Sequence, residues 1–349
     1  MRVIGTGIPV ARRVRRRAVG VVAAMAALLA LGGTPQAADT VREGLQIGAL
    51  GSLRMALPDV QDKYNLKYDF KDFRDSTAAL LALEQGELDV VNTTNQHLVR
   101  AMEESIPVVW VAGWGGGYNV LVEASSLGLK QGDWPGLAAL AKKRAAAGNP
   151  LKIGVPTGSM QHLKLAVALK AAGLNPDKDV QVVNVPFPVH PRAIEGGEVD
   201  MAMTLAVFGA LSINSGKGAL FDHLFGGPNG KQEIGFLVRR DAIEKNPDLV
   251  QRIVDSHVAA MKTFVNDVPR QIALEGQFSK LPPPVIAMVQ KDFLRLSYHT
   301  NMADLQLMSR QMHEIGWAKT DHSGDLGKFV NLHFLEKATS ESAQQLSTW

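Results

Sequence analysis

The sequence predicts an α/β protein of two similar lobes, each a mostly parallel sheet flanked by helices, with a ligand cleft between them. Three observations carry that prediction. Apolar strand-like runs alternate with segments of three- and four-residue apolar spacing, the pattern of parallel sheets with crossover helices. Two short motifs recur in the same order, at offsets of 106 and 111 residues. The 349 residues suffice for two domains of roughly 150 residues, each with its own core.

Composition narrows the class. With 46% apolar and 20% charged residues and no cysteine, the chain is neither disordered nor collagen-like, and it holds no disulfide scaffold or cysteine-ligated metal. The net charge of +3 misleads. Residues 1–38 contain six arginines and no acids, which leaves 31 basic against 34 acidic residues in 39–349. The basic balance gives no argument for a nucleic-acid partner.

Taken in order, the first element reads as an export signal. ARRVRRR (11–17) is the charged region, AVGVVAAMAALLAL (18–31) the apolar one, and GGTPQAA (32–38) a small-residue cleavage zone. Fourteen apolar residues are too few to span ~30 Å of hydrocarbon comfortably. Cleavage is expected near Ala37 or Ala38, releasing a protein into the periplasm.

The repeat follows. IGALGS (47–52) returns as IGVPTGS (153–159), and ALEQGELDVVNT (82–93) returns as AIEGGEVDMAMT (193–204). In the first unit, Ser76-Thr77 starts a helix whose Leu80, Leu81 and Leu83 face a sheet, and Gly86 suits its left-handed end. LDVV (88–91) is then a short buried strand. In the second, Ser159 precedes a helix with an apolar stripe of Leu165, Ala168, Leu169 and Ala172, closed by Gly173. VQVVNV (180–185) is the next strand. IGFLVRR (234–240) reads as a strand returning to the first lobe, followed by amphipathic helices over 247–265, 282–294 and 301–316. The expected boundaries are 39–124 for the first part of lobe 1, 125–231 for lobe 2 and 232–349 for the return. The crossings are expected at 125–136 and 226–231.

Each Gly-Ser, Gly51-Ser52 and Gly158-Ser159, falls where a strand turns into a helix. Unpaired backbone N–H groups and the positive dipole end make such a turn an anion site. Thr157 and His162 flank the second. Thr93 and Thr204 occupy matching positions in the repeat. Trp114, a triple glycine and Tyr118 at the end of an apolar strand suggest a backbone approach with an aromatic wall. The clustered acids sit at the opposite strand ends, away from a ligand crevice. Nine histidines include no i,i+4 pair, and HExxH, GxSxG and phosphate-loop motifs are absent. Neither catalysis nor a cofactor is expected.

These motifs resemble the solute-binding proteins of bacterial ABC importers, in the nitrate/sulfonate/taurine branch. The resemblance rests on the export signal, IGALGS, TAALLALEQGELDVVNTT, the run 152–186 and AIEGGEVDMAMT. It implies a two-lobed periplasmic-binding-protein fold (type II) that closes on its ligand. It also implies binding positions at Gly51 and Ser52, Thr93, Thr94 and Asn95, Trp114 and Tyr118, Thr157, Gly158, Ser159 and His162, and Thr204. The implied function is capture of a small anion, a sulfonate, a carboxylate or nitrate, by a monomer that delivers it to an ABC permease. Two alternatives stay open: a ligand-sensing subunit of a membrane signalling system, and a binder of a neutral heterocycle such as a thiamin-pyrimidine precursor. Pro58 interrupts the helix expected after Ser52, and no proline follows Asp200 as it usually does in the family.

Overall fold

The computed structural model describes residues 37–46, 57–73 and 75–349. The export signal expected over 1–38 lies, up to residue 36, outside the described residues, as does the first Gly-Ser pair, Gly51-Ser52.

In chain order the first elements are β1 (Asp39–Gln46), α1 (Pro58–Tyr64), β2 (Leu66–Phe73), α2 (Ser76–Glu84), β3 (Val90–Thr94), α3 (Asn95–Glu103) and β4 (Val108–Gly116). Next come β5 (Asn119–Ala124), α4 (Trp134–Ala146), β6 (Leu151–Val155), α5 (Met160–Ala171), β7 (Val180–Asn184), α6 (His190–Glu195), β8 (Met201–Leu205), α7 (Ala206–Asn214) and β9 (Gly218–His223). The chain closes with β10 (Ile234–Arg239), α8 (Arg240–Lys245), α9 (Pro247–Asn266), α10 (Val268–Ser279), α11 (Pro283–Met288), β11 (Arg295–Leu296), α12 (Met302–Glu314), α13 (His333–Thr339) and α14 (Ala343–Leu346).

Two sheets result. The first runs β11-β4-β10-β3-β1-β2 and the second β7-β6-β8-β5-β9. In each, three parallel neighbours form one side: β2-β1-β3 and β7-β6-β8. An antiparallel strand is then inserted, β10 in the first sheet and β5 in the second, and β4 or β9 follows. The inserted strand of each sheet is the one the chain enters on crossing from the other. The matched segments 82–93 and 193–204 thus lie in different sheets, as α2–β3 and α6–β8.

The sequence repeat has a structural cause at its shared acid. Asp89 accepts from the backbone N–H of Arg42 on β1 at 2.8 Å and forms a two-pronged pair with its guanidinium, at 3.0 and 2.7 Å. Asp200 accepts from the Lys152 N–H on β6 at 2.8 Å and from Arg144 at 2.8 Å. Each Asp ties the helix–strand connection to the first strand of its parallel trio.

Two expectations need correction. Leu81 does not face the sheet but is 41% exposed, while Leu80 and Leu83 are buried. The helix is too short a stripe for three leucines in four positions to share one face. Residues 119–124 belong to the second sheet, so the first crossing falls at Gly117-Tyr118 and not in 125–136. The helix expected after Ser52 falls on residues outside those described; Pro58 stands in the first turn of α1, where its missing N–H costs nothing.

Candidate functional site

The carboxyl ends of β1, β3, β6 and β7 meet around a cavity of about 560 Å³ between the two lobes, the place an open α/β sheet offers a ligand. Lobe 1 contributes Gln46, the first turn of α2, Thr94 and the exposed side of α3; lobe 2 contributes the turn from β6 into α5 and residues Pro186–Pro188.

On the lobe 1 side, Asp75 caps α2 by accepting from the Ala78 N–H at 2.9 Å, and Ser76 donates its hydroxyl to Gln46 Oε1 at 2.9 Å. Thr94 is extended and precedes α3 without capping it. Its hydroxyl is instead 2.7 Å from His97 Nδ1. The other ring nitrogen lies 3.4 Å from the Thr77 hydroxyl, which also accepts from Arg100 at 3.1 Å. One chain, Thr94–His97–Thr77–Arg100, therefore links the first turns of α2 and α3. Burial, reinforced by the Arg100 charge, lowers the His97 pKa to about 4. His97 is a neutral donor–acceptor at pH 7, and Arg100 is the one formal cation among the described lining residues. Its side chain is partly exposed and pairs with Glu104 at 2.8 Å.

On the lobe 2 side, Ser159 caps α5: its hydroxyl accepts from the His162 N–H at 3.2 Å and donates to the Pro156 carbonyl at 2.7 Å. The Thr157 N–H is held by Asn184 Oδ1 at 3.0 Å. Pro186, Phe187 and Pro188 form an apolar wall. At the cavity, Gln96 Nε2 on lobe 1 donates across to the Gly158 carbonyl on lobe 2 at 2.9 Å. Gln96 Oε1 is buried there without a partner. The starts of α2, α3 and α5 all border the same cavity, so three positive dipole ends and several hydroxyls face one space.

Of the residues singled out in the sequence, Thr94, Thr157, Gly158 and Ser159 line this cavity. Thr93 and Thr204 are buried within their sheets. Asn95 is buried and donates its amide to the Gln232 carbonyl at 2.6 Å, and the Tyr118 N–H bonds to Glu233 at 2.8 Å; both serve the lobe crossings. His162 turns behind the cavity, where Nδ1 accepts from the Gly158 N–H at 3.2 Å and the ring lies 5.3 Å from Trp317.

Trp114 is not a cavity wall. It is fully buried, with ring centroids 5.5 Å from Phe236 and 5.9 Å from His257. The glycines around it do admit a close approach, but of protein backbone. A Cβ on Gly113, Gly115, Gly116 or Gly117 would meet the carbonyl oxygen of His299, Arg295, Lys231 or Phe293 at 1.8–2.1 Å. The space the sequence suggested for a ligand is filled by 293–299 and by the second crossing.

Sequence reasoning missed Gln46, Gln96, His97, Arg100 and the 186–188 wall. One signal was present: Thr94, His97 and Arg100 recur every three residues directly after the repeat motif, on one helix face. Among the described residues no group of three or more His, Asp or Glu is placed to hold a metal ion, and no helix is long and apolar enough to cross a membrane.

The model of the NMT1-like family matches residues 55–275. The taurine-binding periplasmic protein of Escherichia coli (strain K12) is 26% identical over 217 residues, 61% of this chain; the match spans 62% of that relative's length. The crystal structure of the periplasmic aliphatic sulphonate binding protein of E. coli superposes with a TM-score of 0.66 at 19% identity, covering 82% of this chain and 91% of that one. The periplasmic nitrate-binding protein of Synechocystis PCC 6803 gives 0.70 at 15% identity, covering 87% and 89%. At these identities the structural likeness is one of fold, the two-lobed periplasmic-binding-protein architecture.

Proposed function

The chain belongs to the NMT1-like family, and on that premise we propose that it is the extracytoplasmic binding component of an ABC importer, a monomer that captures a small organic anion and hands it to a membrane permease. The observation that carries this reading is the cavity between the lobes, bordered by three helix starts, five side-chain hydroxyls and Arg100. Backbone N–H groups and hydroxyls would hold the anionic head group, with Arg100 supplying the formal charge. The Pro186–Phe187–Pro188 wall would cover an apolar body. Ligand touching both lobes favours the closed form over any open one by the difference in its contacts, which is how occupancy would be signalled to a permease.

A sulfonate or carboxylate suits this site better than nitrate, because 560 Å³ exceeds what so small an ion fills and Pro186, Phe187 and Pro188 add an apolar wall. The unpartnered Gln96 Oε1 and the nearby Asp75 favour a ligand that also donates hydrogen bonds, as an amino-substituted anion does. The near balance of Arg100 and Asp75 also leaves room for a neutral heterocycle against Phe187.

A thermal-shift screen of the purified protein against taurine, short alkanesulfonates, benzoate, nitrate and an aminopyrimidine tests the proposal. Ligand at a hundredfold excess over its dissociation constant adds about 2.7 kcal/mol to the folded state. A shift with a sulfonate or carboxylate is expected. Stabilisation by the aminopyrimidine alone would replace the anion with the heterocycle.

A further inference from the structure

The lobes are joined by more than two strands of chain. Lys164, on α5, is the only lysine fully buried among the described residues, and its ammonium donates to Glu233 Oε1 at 2.8 Å. The two side chains are 1% and 0% exposed. Glu233 belongs by its backbone to lobe 1: its N–H donates to the Gly115 carbonyl at the end of β4, and its carbonyl accepts from the Asn95 N–H at the start of α3, both at 2.9 Å. Its carboxylate belongs to lobe 2. One oxygen takes Lys164 and the other takes the Tyr118 N–H, at 2.8 Å, where the first crossing enters β5. Glu233 itself ends the second crossing. A single carboxylate thus ties together both crossings and the helix whose first turn carries Thr157–Ser159 into the cavity.

We infer that the Lys164–Glu233 pair positions the two halves of the binding cavity, holding α5 at one angle across the pivot. A desolvated ion pair tolerates little change in geometry, because separated partners leave buried charges without compensation. An apolar contact at the same place slides at small cost; this pair does not. Lys164 lies one turn beyond the Ser159 cap, so any rotation of α5 about the pair carries the Gly158 carbonyl away from Gln96. The inference rests on the two-lobed cavity and not on which ligand fills it.

The test needs no ligand, so its failure and the failure of the proposed function are distinguishable. In this cysteine-free chain, Glu84→Cys on α2 and Lys142→Cys on α4 place nitroxide labels at exposed positions of the two lobes. Pulsed dipolar spectroscopy then reads the inter-lobe distance in the parent, in Lys164→Met and in the double variant Lys164→Met/Glu233→Gln. The double variant keeps an acceptor for the Tyr118 N–H and leaves no unpaired buried charge, so it is expected to fold even where the single variant does not. Both variants should show a distribution broader than the parent's and extended to longer distances. A parent-like distribution in the double variant would overturn the inference, because the lobes would then be registered without the pair. Failure of the double variant to fold would overturn it too, making the pair an element of stability alone.

Discussion

The imidazoles of His97 and His190 are held neutral at pH 7 by their surroundings. Burial lowers the pKa of His97 and of His190 from 6.5 to about 4. His97 bridges two threonine hydroxyls at the cavity, whereas His190 is buried against the Val185 carbonyl at 2.9 Å and serves the turn between two prolines. Below pH 6.5 the unfolded chain binds protons at these sites that the folded chain refuses. Their contribution to stability is therefore whole above pH 6.5 and falls away as pH drops towards 4, by about 3 kcal/mol for each site. Urea unfolding at pH 7, 5 and 4 should show this decline, and His190→Gln should flatten it; an unchanged slope in the variant would assign the decline to other groups. Trp114→Ala should cost about 3–5 kcal/mol, since it empties a closed core between Phe236 and His257. Ligand affinity should change only through unfolding. A loss of affinity with the melting temperature intact would return Trp114 to the site.

At the scale of elements, the repeat motif separates two roles that its sequence presents together. The acid at its centre, Asp89 or Asp200, locks strand to connection; the residue five positions beyond Asp89, Thr94, reaches the cavity. Asp200→Ala should cost about 1–3 kcal/mol of stability through the exposed demands of the Lys152 N–H and Arg144, with affinity unchanged, as read by melting and calorimetry on one preparation. The lobes, the order of their elements and the cap of α5 were legible because they depend on local rules: apolar period, turn glycines and a serine before a helix. The cavity was legible in part. Thr94 and Thr157–Ser159 follow from the repeat, but His97 and Arg100 are ordinary polar residues on a helix until the fold turns that face towards lobe 2. The Trp114 error has the same origin. A glycine run announces that something comes close, and only the tertiary fold reveals that it is the backbone of 293–299. The first crossing escaped detection because β5 follows β4 with only Gly117-Tyr118 between them.

The proposed binding cavity takes residues from two lobes that share no sheet, so affinity should depend on residues from both. Arg100→Ala on α3 removes the lobe 1 cation, and its surface pair with Glu104 contributes little to stability. Ser159→Ala at the N-cap of α5 removes one of the two lobe 2 hydroxyls and a helix cap worth ~1 kcal/mol. Each should lower affinity by about 1.5–3 kcal/mol where the lost hydrogen bond is to a charged group. The direct test is calorimetric titration of the parent and these two variants with whichever of taurine, a short alkanesulfonate or benzoate the parent binds most tightly. Weaker binding in both variants, with melting temperatures close to the parent's, is the predicted result; parent-like affinity in both would place the ligand somewhere other than the cavity between the lobes.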